Sequence, residues 1–169
     1  MDYGLILGNL CTLLAMGFNA LSSTRKTPKG VLLTQNISQG IYAVSAIVLS
    51  GYSAAVQNVV SIIRNLVATR KKNNKFVEWL LVTLGVVLGI AFNNRSWVGL
   101  LPVVGNLQYT LAIFKFKDDE RKIKFFFLLS VVAFVIFNFA IRNYVGVVSD
   151  LIVIVTTSIM LLRKENKEA

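Results

Sequence analysis

The chain has 169 residues, 55% of them hydrophobic, with a mean hydropathy of +0.65 and a net charge of +10. It has no histidine and one cysteine, Cys11, which excludes intramolecular disulfides and metal sites built on histidine or paired cysteines. Its lysines and arginines are spread over four short clusters rather than one face, which argues against nucleic acid as a partner.

Between the clusters run apolar stretches of roughly the ~20 residues that a helix needs to cross about 30 Å of hydrocarbon. Seven spans are predicted in chain order: Tyr3–Leu21, Val31–Leu49, Tyr52–Ala68, Phe76–Phe92, Val98–Phe114, Phe125–Ile141 and Tyr144–Leu162. The runs are unbroken rather than alternating, so a transmembrane barrel is not expected. The first span follows Met1-Asp2 with no basic segment, so it is expected to stay as a helix rather than be cleaved as a signal peptide.

The connections alternate in charge. Arg25, Lys26 and Lys29 follow span one, and Ser50-Gly51 after span two carries none. Arg70, Lys71, Lys72 and Lys75 follow span three, and Arg95 alone follows span four. Lys115, Lys117, Arg121, Lys122 and Lys124 follow span five, Arg142 alone follows span six, and Arg163, Lys164 and Lys167 follow span seven. Fifteen basic residues thus fall on one side and two on the other. The positive-inside rule then predicts a multi-pass protein with its N-terminus outside and its C-terminus in the cytoplasm.

Two stretches repeat. Gly8-Asn9-Leu10-Cys11-Thr12-Leu13-Leu14-Ala15-Met16 reads against Gly105-Asn106-Leu107-Gln108-Tyr109-Thr110-Leu111-Ala112-Ile113. Span three, from Gly51-Tyr52 to Arg70-Lys71, reads against span seven, from Asn143-Tyr144 to Arg163-Lys164. The predicted fold is therefore an all-α integral membrane protein: two parallel three-helix bundles, residues 1–75 and 98–169, joined by a linker helix in 76–97.

Polar groups inside a bilayer are costly unless partnered, so their positions carry information. Span three places Gln57, Asn58, Ser61, Arg64 and Asn65 on one helical face. Span one offers Asn9, Thr12 and Asn19; span two has a polar half with Thr34, Gln35, Asn36, Ser38 and Gln39. Span five has Asn106, Gln108, Tyr109 and Thr110; span six has Asn138; span seven has Asp150, Thr156 and Thr157. Single residues such as Thr12 or Ser61 are explained by helix–helix adhesion, at about 0.6 kcal/mol each. The whole set points to a polar cavity, with Asn58 and Asp150 facing each other across it. The residues assigned to solute binding are Asn58, Asp150, Asn9, Asn106, Gln57, Arg64 and Asn138.

Asp150 is the lead candidate for a substrate-binding, cation-binding or proton-carrying group. Arg64 either snorkels to the headgroups or faces the cavity as a cation. Glu78, Trp79 and Trp97 read as interfacial. Pro102 belongs to the first turn of span five or kinks it. The phenylalanines, many of them in span six, are expected against lipid and neighbouring helices.

Leu100-Leu101-Pro102-Val103-Val104-Gly105, Val135-Ile136-Phe137-Asn138-Phe139 and the run from Ile63-Arg64-Asn65-Leu66 to Arg70 resemble segments of the YgjV-type bacterial inner-membrane proteins. The resemblance covers most of the chain and implies the membrane class without an activity. More distantly, the three-plus-one-plus-three layout resembles the SWEET sugar facilitators and related PQ-loop carriers. In that family asparagines on helices three and seven hold the sugar; the resemblance puts Asn58 at the first position and Asp150 at the second. Those facilitators carry prolines in four helices, whereas here Pro28 falls in a loop and only Pro102 in a span.

The leading expectation is a small-solute transporter or facilitator for a sugar, vitamin or similar metabolite, working by alternating access between the two bundles. The alternative is a non-transporting receptor or assembly factor, binding a partner through the polar half of span two. An enzyme is not expected: histidine is absent, no paired acidic motif lies in the spans, and no G-x-x-x-x-G-K-[ST] occurs. No cofactor is expected. The expected partners are the lipid bilayer, a small polar solute and a second copy of the chain.

Overall fold

In lipid a backbone can satisfy its N–H and C=O groups only within a helix or a closed barrel, and long apolar runs select the helix. The computed structural model describes residues 2–23, 28–68, 74–116 and 119–162. Among the described residues there are seven α-helices and no strand: α1 (Tyr3–Ser23), α2 (Pro28–Val48), α3 (Tyr52–Ala68), α4 (Lys75–Ala91), α5 (Leu101–Lys115), α6 (Glu120–Ala140) and α7 (Tyr144–Leu162). Among the described residues four stretches are long and apolar enough to cross a membrane: Tyr3–Leu21, Ser96–Lys115, Arg121–Ala140 and Tyr144–Leu162. The other three fall short for visible reasons. α3 and α4 have 17 residues each, and the first half of α2 is polar.

The bounds of α3 and α7 are those expected, and the others shift at their ends for local reasons. α6 begins at Glu120 rather than Phe125, because the Asp119 side chain caps it by accepting from the Lys122 N–H at 3.0 Å. Span five divides into a 3-10 turn, Ser96–Leu100, and α5. Pro102 stands in the first turn of α5, where its missing N–H has no helical partner to lose, so it does not kink the helix. Pro28, expected in a loop, instead opens α2, where its fixed φ suits a first helical residue.

Each helix packs on the next in the chain. α1 also packs on α7 and α3 on α5, so α1, α2, α3, α5, α6 and α7 close into a ring. α4 lies outside that ring, against α3, α5 and the 3-10 turn. It approaches closely because Gly85 and Gly89 face inward: a methyl group on Gly89 would collide with the Gln57 amide and with Val103.

Three short connections gather at one end of the ring. Asn94 donates to the Ser50 carbonyl at 2.8 Å, and Arg95 caps the C-terminus of α2 through the carbonyls of Ser50 (3.0 Å) and Leu49 (3.2 Å). Two of these connections have the same backbone. At the α2–α3 turn, Ser50 takes a left-handed φ of 56°, Gly51 N–H bonds Ala46 O and Ser50 N–H bonds Ile47 O. At the α6–α7 turn, Arg142 takes a φ of 60°, Asn143 N–H bonds Asn138 O and Arg142 N–H bonds Phe139 O. Both are Schellman closures, in which a left-handed residue satisfies the last helical carbonyls.

Beside this end lies the main apolar cluster, Ala46, Leu49, Ala54, Ala55, Phe137 and Ile141. Phe137 is fully buried, and its ring presses on Gly51, where a Cβ would lie 2.9 Å from it. Elsewhere large apolar side chains point outward, among them Leu10 and Leu14 on α1, Ile90 on α4 and Val155 and Ile159 on α7. An apolar exterior of this extent suits lipid rather than water as the surrounding solvent. Trp79 near the start of α4 and Trp97 beyond its far end are both exposed.

Candidate functional site

Inside the ring lies a cavity of about 170 Å³, with walls from all six ring helices. Its position follows from two helix counts. Asn58 comes six residues after Tyr52, the start of α3, and Asp150 comes six residues after Tyr144, the start of α7. Both helices leave matched turns at one end, so at 1.5 Å per residue both side chains stand about 9 Å deep. Arg64, six residues beyond Asn58 on α3, stands about another 9 Å in. All three line the cavity, together with Asn106 of α5 and Asn138 of α6.

Arg64 is 5% exposed and does not snorkel. Its Nη1 donates to Asn106 Oδ1 at 3.0 Å and to Thr110 Oγ1 at 3.2 Å, and its Nη2 donates to Asn65 Oδ1 at 3.4 Å. The guanidinium lies 5.0 Å from the Tyr109 ring centroid, within cation–π range. Asn106 is the hub of this wall. It also accepts from Ser61 Oγ at 3.2 Å and donates to Gln57 Oε1 at 2.7 Å. Every partner of Arg64 is neutral, and its buried Nε has no hydrogen-bond partner.

The opposite wall holds the carboxylate. Asn138 donates from Nδ2 to Asp150 Oδ2 at 2.8 Å and accepts from Asn143 Nδ2 at 3.2 Å. Tyr42 and Ser149 line the cavity beside them. Among the described residues no group of three or more His, Cys, Asp or Glu side chains could hold a metal ion. The cavity offers amide, hydroxyl and phenol groups together with one arginine and one aspartate side chain, donors and acceptors able to hold a polar molecule.

Five of the seven residues expected at the site meet there; Gln57 and Asn9 do not line it. Gln57 is turned away and donates to the Gly85 carbonyl at 2.8 Å, tying α3 to α4. Asn9 closes the ring at the short-turn end: it accepts from Val145 N–H at 3.0 Å and donates to the Arg142 carbonyl at 3.1 Å. Thr12 serves adhesion, its hydroxyl 2.7 Å from Ser45 Oγ at the α1–α2 seam. Phe127 and Phe134 line the cavity, whereas the phenylalanines were expected against lipid and neighbouring helices rather than a ligand. Tyr42, Ser130, Asn143 and Ser149 also line the cavity and were not singled out from sequence; Tyr42 and Ser130 each stand alone in an apolar run, while Asn143 and Ser149 stand beside the charged Arg142 and Asp150. The Gly85–Gly89 spacing in an apolar helix was a readable signal for the close approach of α4.

Residues 6–168 match the family Imp-YgjV, described as a bacterial inner membrane protein. No curated protein and no solved structure matches the chain.

Proposed function

Because the chain belongs to the Imp-YgjV family of bacterial inner membrane proteins, we propose that it is a small-solute transporter whose solute occupies the cavity between α3 and α7. All seven helices cross the bilayer, the shorter ones with little tilt. The observation that carries this reading is the cavity itself: a chamber inside the helix ring, lined by both polar and apolar side chains, with Asn58 and Asp150 level on its walls. Adhesion alone does not call for such a chamber, because helices that only stick together close onto each other's polar groups.

The working parts are α1–α3 and α5–α7, with α4 as the linker. The position of α4 outside the ring supports this division. So do the twin Schellman turns, which fall at Ser50 and Arg142, an offset of 92 that also aligns Asn58 with Asp150. Rocking of one bundle against the other gives alternating access. The short-turn end, carrying Arg95 and Arg142, faces outward, and the C-terminus lies in the cytoplasm. The polar half of α2 weighs against a partner-docking role. Asn36 accepts from Asn65 Nδ2 at 3.2 Å and Gln39 lines the cavity, so this surface turns inward. The reading assigns no catalytic step to the chain.

The test is a metabolite screen in proteoliposomes with wild type, Asn58→Ala and Asp150→Asn. Both variants are expected to lose uptake of the same solute while inserting normally. Uptake unchanged in both would overturn the reading.

A further inference from the structure

An arginine and an aspartate, Arg64 and Asp150, line the cavity and do not meet. Arg64 has only neutral partners, and the hydrogen-bond donor on Asp150 is Asn138. Among the described residues neither lies within ion-pair distance of an opposite charge. A buried charge without a counter-charge is expensive to maintain. The guanidinium is also incompletely bonded, with its Nε buried and unpartnered. Arginine presents a planar fork suited to carboxylates.

From this arrangement we infer that the solute is a small zwitterion, its carboxylate held by Arg64 and its ammonium by Asp150. The inference rests on the transporter reading for its biological meaning and on the cavity alone for its chemistry. A neutral polyol leaves both charges uncompensated. A simple anion suits Arg64 but sits in the field of Asp150, and a simple cation does the reverse. A zwitterion answers both and crosses the bilayer with no net charge of its own. Size narrows the class. About 170 Å³ is close to the roughly 150 Å³ of a cavity that holds one benzene-sized molecule. The helix positions of the two charges differ by about 9 Å in depth. A molecule that fills a cavity of this size has its amine and its carboxylate only a few bonds apart. That is the chemistry of a small amino acid.

The full chain in detergent is titrated, at matched ionic strength, with glycine, L-alanine and β-alanine, and with acetate, methylammonium and glycerol as single-charge and neutral controls. Thermal unfolding is the readout. The zwitterions are expected to raise Tm at concentrations where the controls do not. Arg64→Gln is expected to weaken zwitterion binding about tenfold or more, which is about 1.4 kcal/mol, and Arg64→Lys to restore part of it. Asp150→Asn is expected to weaken zwitterion binding while making acetate a better ligand. If Arg64→Gln does not fold, Arg64→Lys and Asp150→Asn carry the comparison. Stabilisation by glycerol equal to that by glycine, unaffected by either charge change, overturns the zwitterion and leaves the solute cavity standing. No stabilisation by any amino acid also overturns it. Charge-dependent binding of glycine without uptake into proteoliposomes keeps this inference and overturns transport.

Discussion

Asn138 of α6 donates a 2.8 Å hydrogen bond to Asp150 of α7 and so holds the carboxylate against the cavity wall. The same amide accepts from Asn143, and the Asn138 carbonyl accepts from the Asn143 N–H, so one residue ties the acid to the α6–α7 turn. Replacing Asn138 by leucine removes the donor and leaves a buried carboxylate oxygen unsatisfied, at a cost of about 1–3 kcal/mol. Unfolding of Asn138→Leu in detergent is expected to show a loss in that range. Wild-type stability would mean that the contact is incidental.

Asn9 is predicted to matter for closure of the ring rather than for solute. Asn9→Ala removes the side chain that caps α7 at Val145, and N-cap losses of this kind cost about 0.5–2 kcal/mol. Hydrogen exchange is expected to rise first at the Val145 amide, with solute affinity unchanged. A selective loss of affinity would return Asn9 to the binding site.

Glycines in the ring and its linker should divide by what a methyl group meets. At Gly89 it strikes Gln57 and Val103, so Gly89→Ala overpacks the α3–α4–α5 junction and costs about 1–3 kcal/mol. At Gly40, in the interior of α2, it meets nothing within 4 Å, and alanine there should gain about 0.5–1 kcal/mol. Paired unfolding curves check the difference in sign.

Asp119 supplies a pH prediction outside the membrane. The Lys122 side chain, 2.8 Å away, and then the Lys122 backbone N–H hold its carboxyl below the ordinary carboxylate range. A depressed pKa in the folded state means stabilisation that is present above the ordinary value and lost as pH falls through the lowered one. Exchange at the Lys122 amide is therefore expected to stay slow to below the usual carboxylate titration and then rise. In Asp119→Asn, which keeps a capping oxygen without the charge, that acid step should vanish.

Orientation is testable with single cysteines in a Cys11→Ser background. Positions Asn94 and Arg142 should react with an impermeant thiol reagent added outside intact cells, and Lys75 and Lys122 should not. The opposite pattern would invert the topology.

The polar face of α3 was legible in the sequence because spacings of three and four report one side of a helix, and Asn58, Ser61 and Arg64 do line one chamber. The repeat was less informative about roles. Asn9 and Asn106 follow the same Gly-Asn-Leu order, yet one staples α1 to α7 and the other organises Arg64. The difference lies in which helix stands opposite, and local pattern does not contain that. The same holds for Gln57, which shares the stripe of α3 but meets the backbone of α4 at Gly85, where the missing side chain exposes a carbonyl.

If the chain transports as proposed, the apolar cluster around Phe137 bears on the cell's energy supply. A polar chamber joined to both sides by water would let protons and ions run down their gradients through it. The cluster sets Phe137 and Ile141 of α6 against Ala46, Leu49, Ala54 and Ala55, a dry seal beside the short turns. Its tightness governs leak, a property apart from affinity or turnover. On the transporter reading, a chain with Phe137 cut back to alanine keeps its solute site while slowly discharging the membrane that houses it.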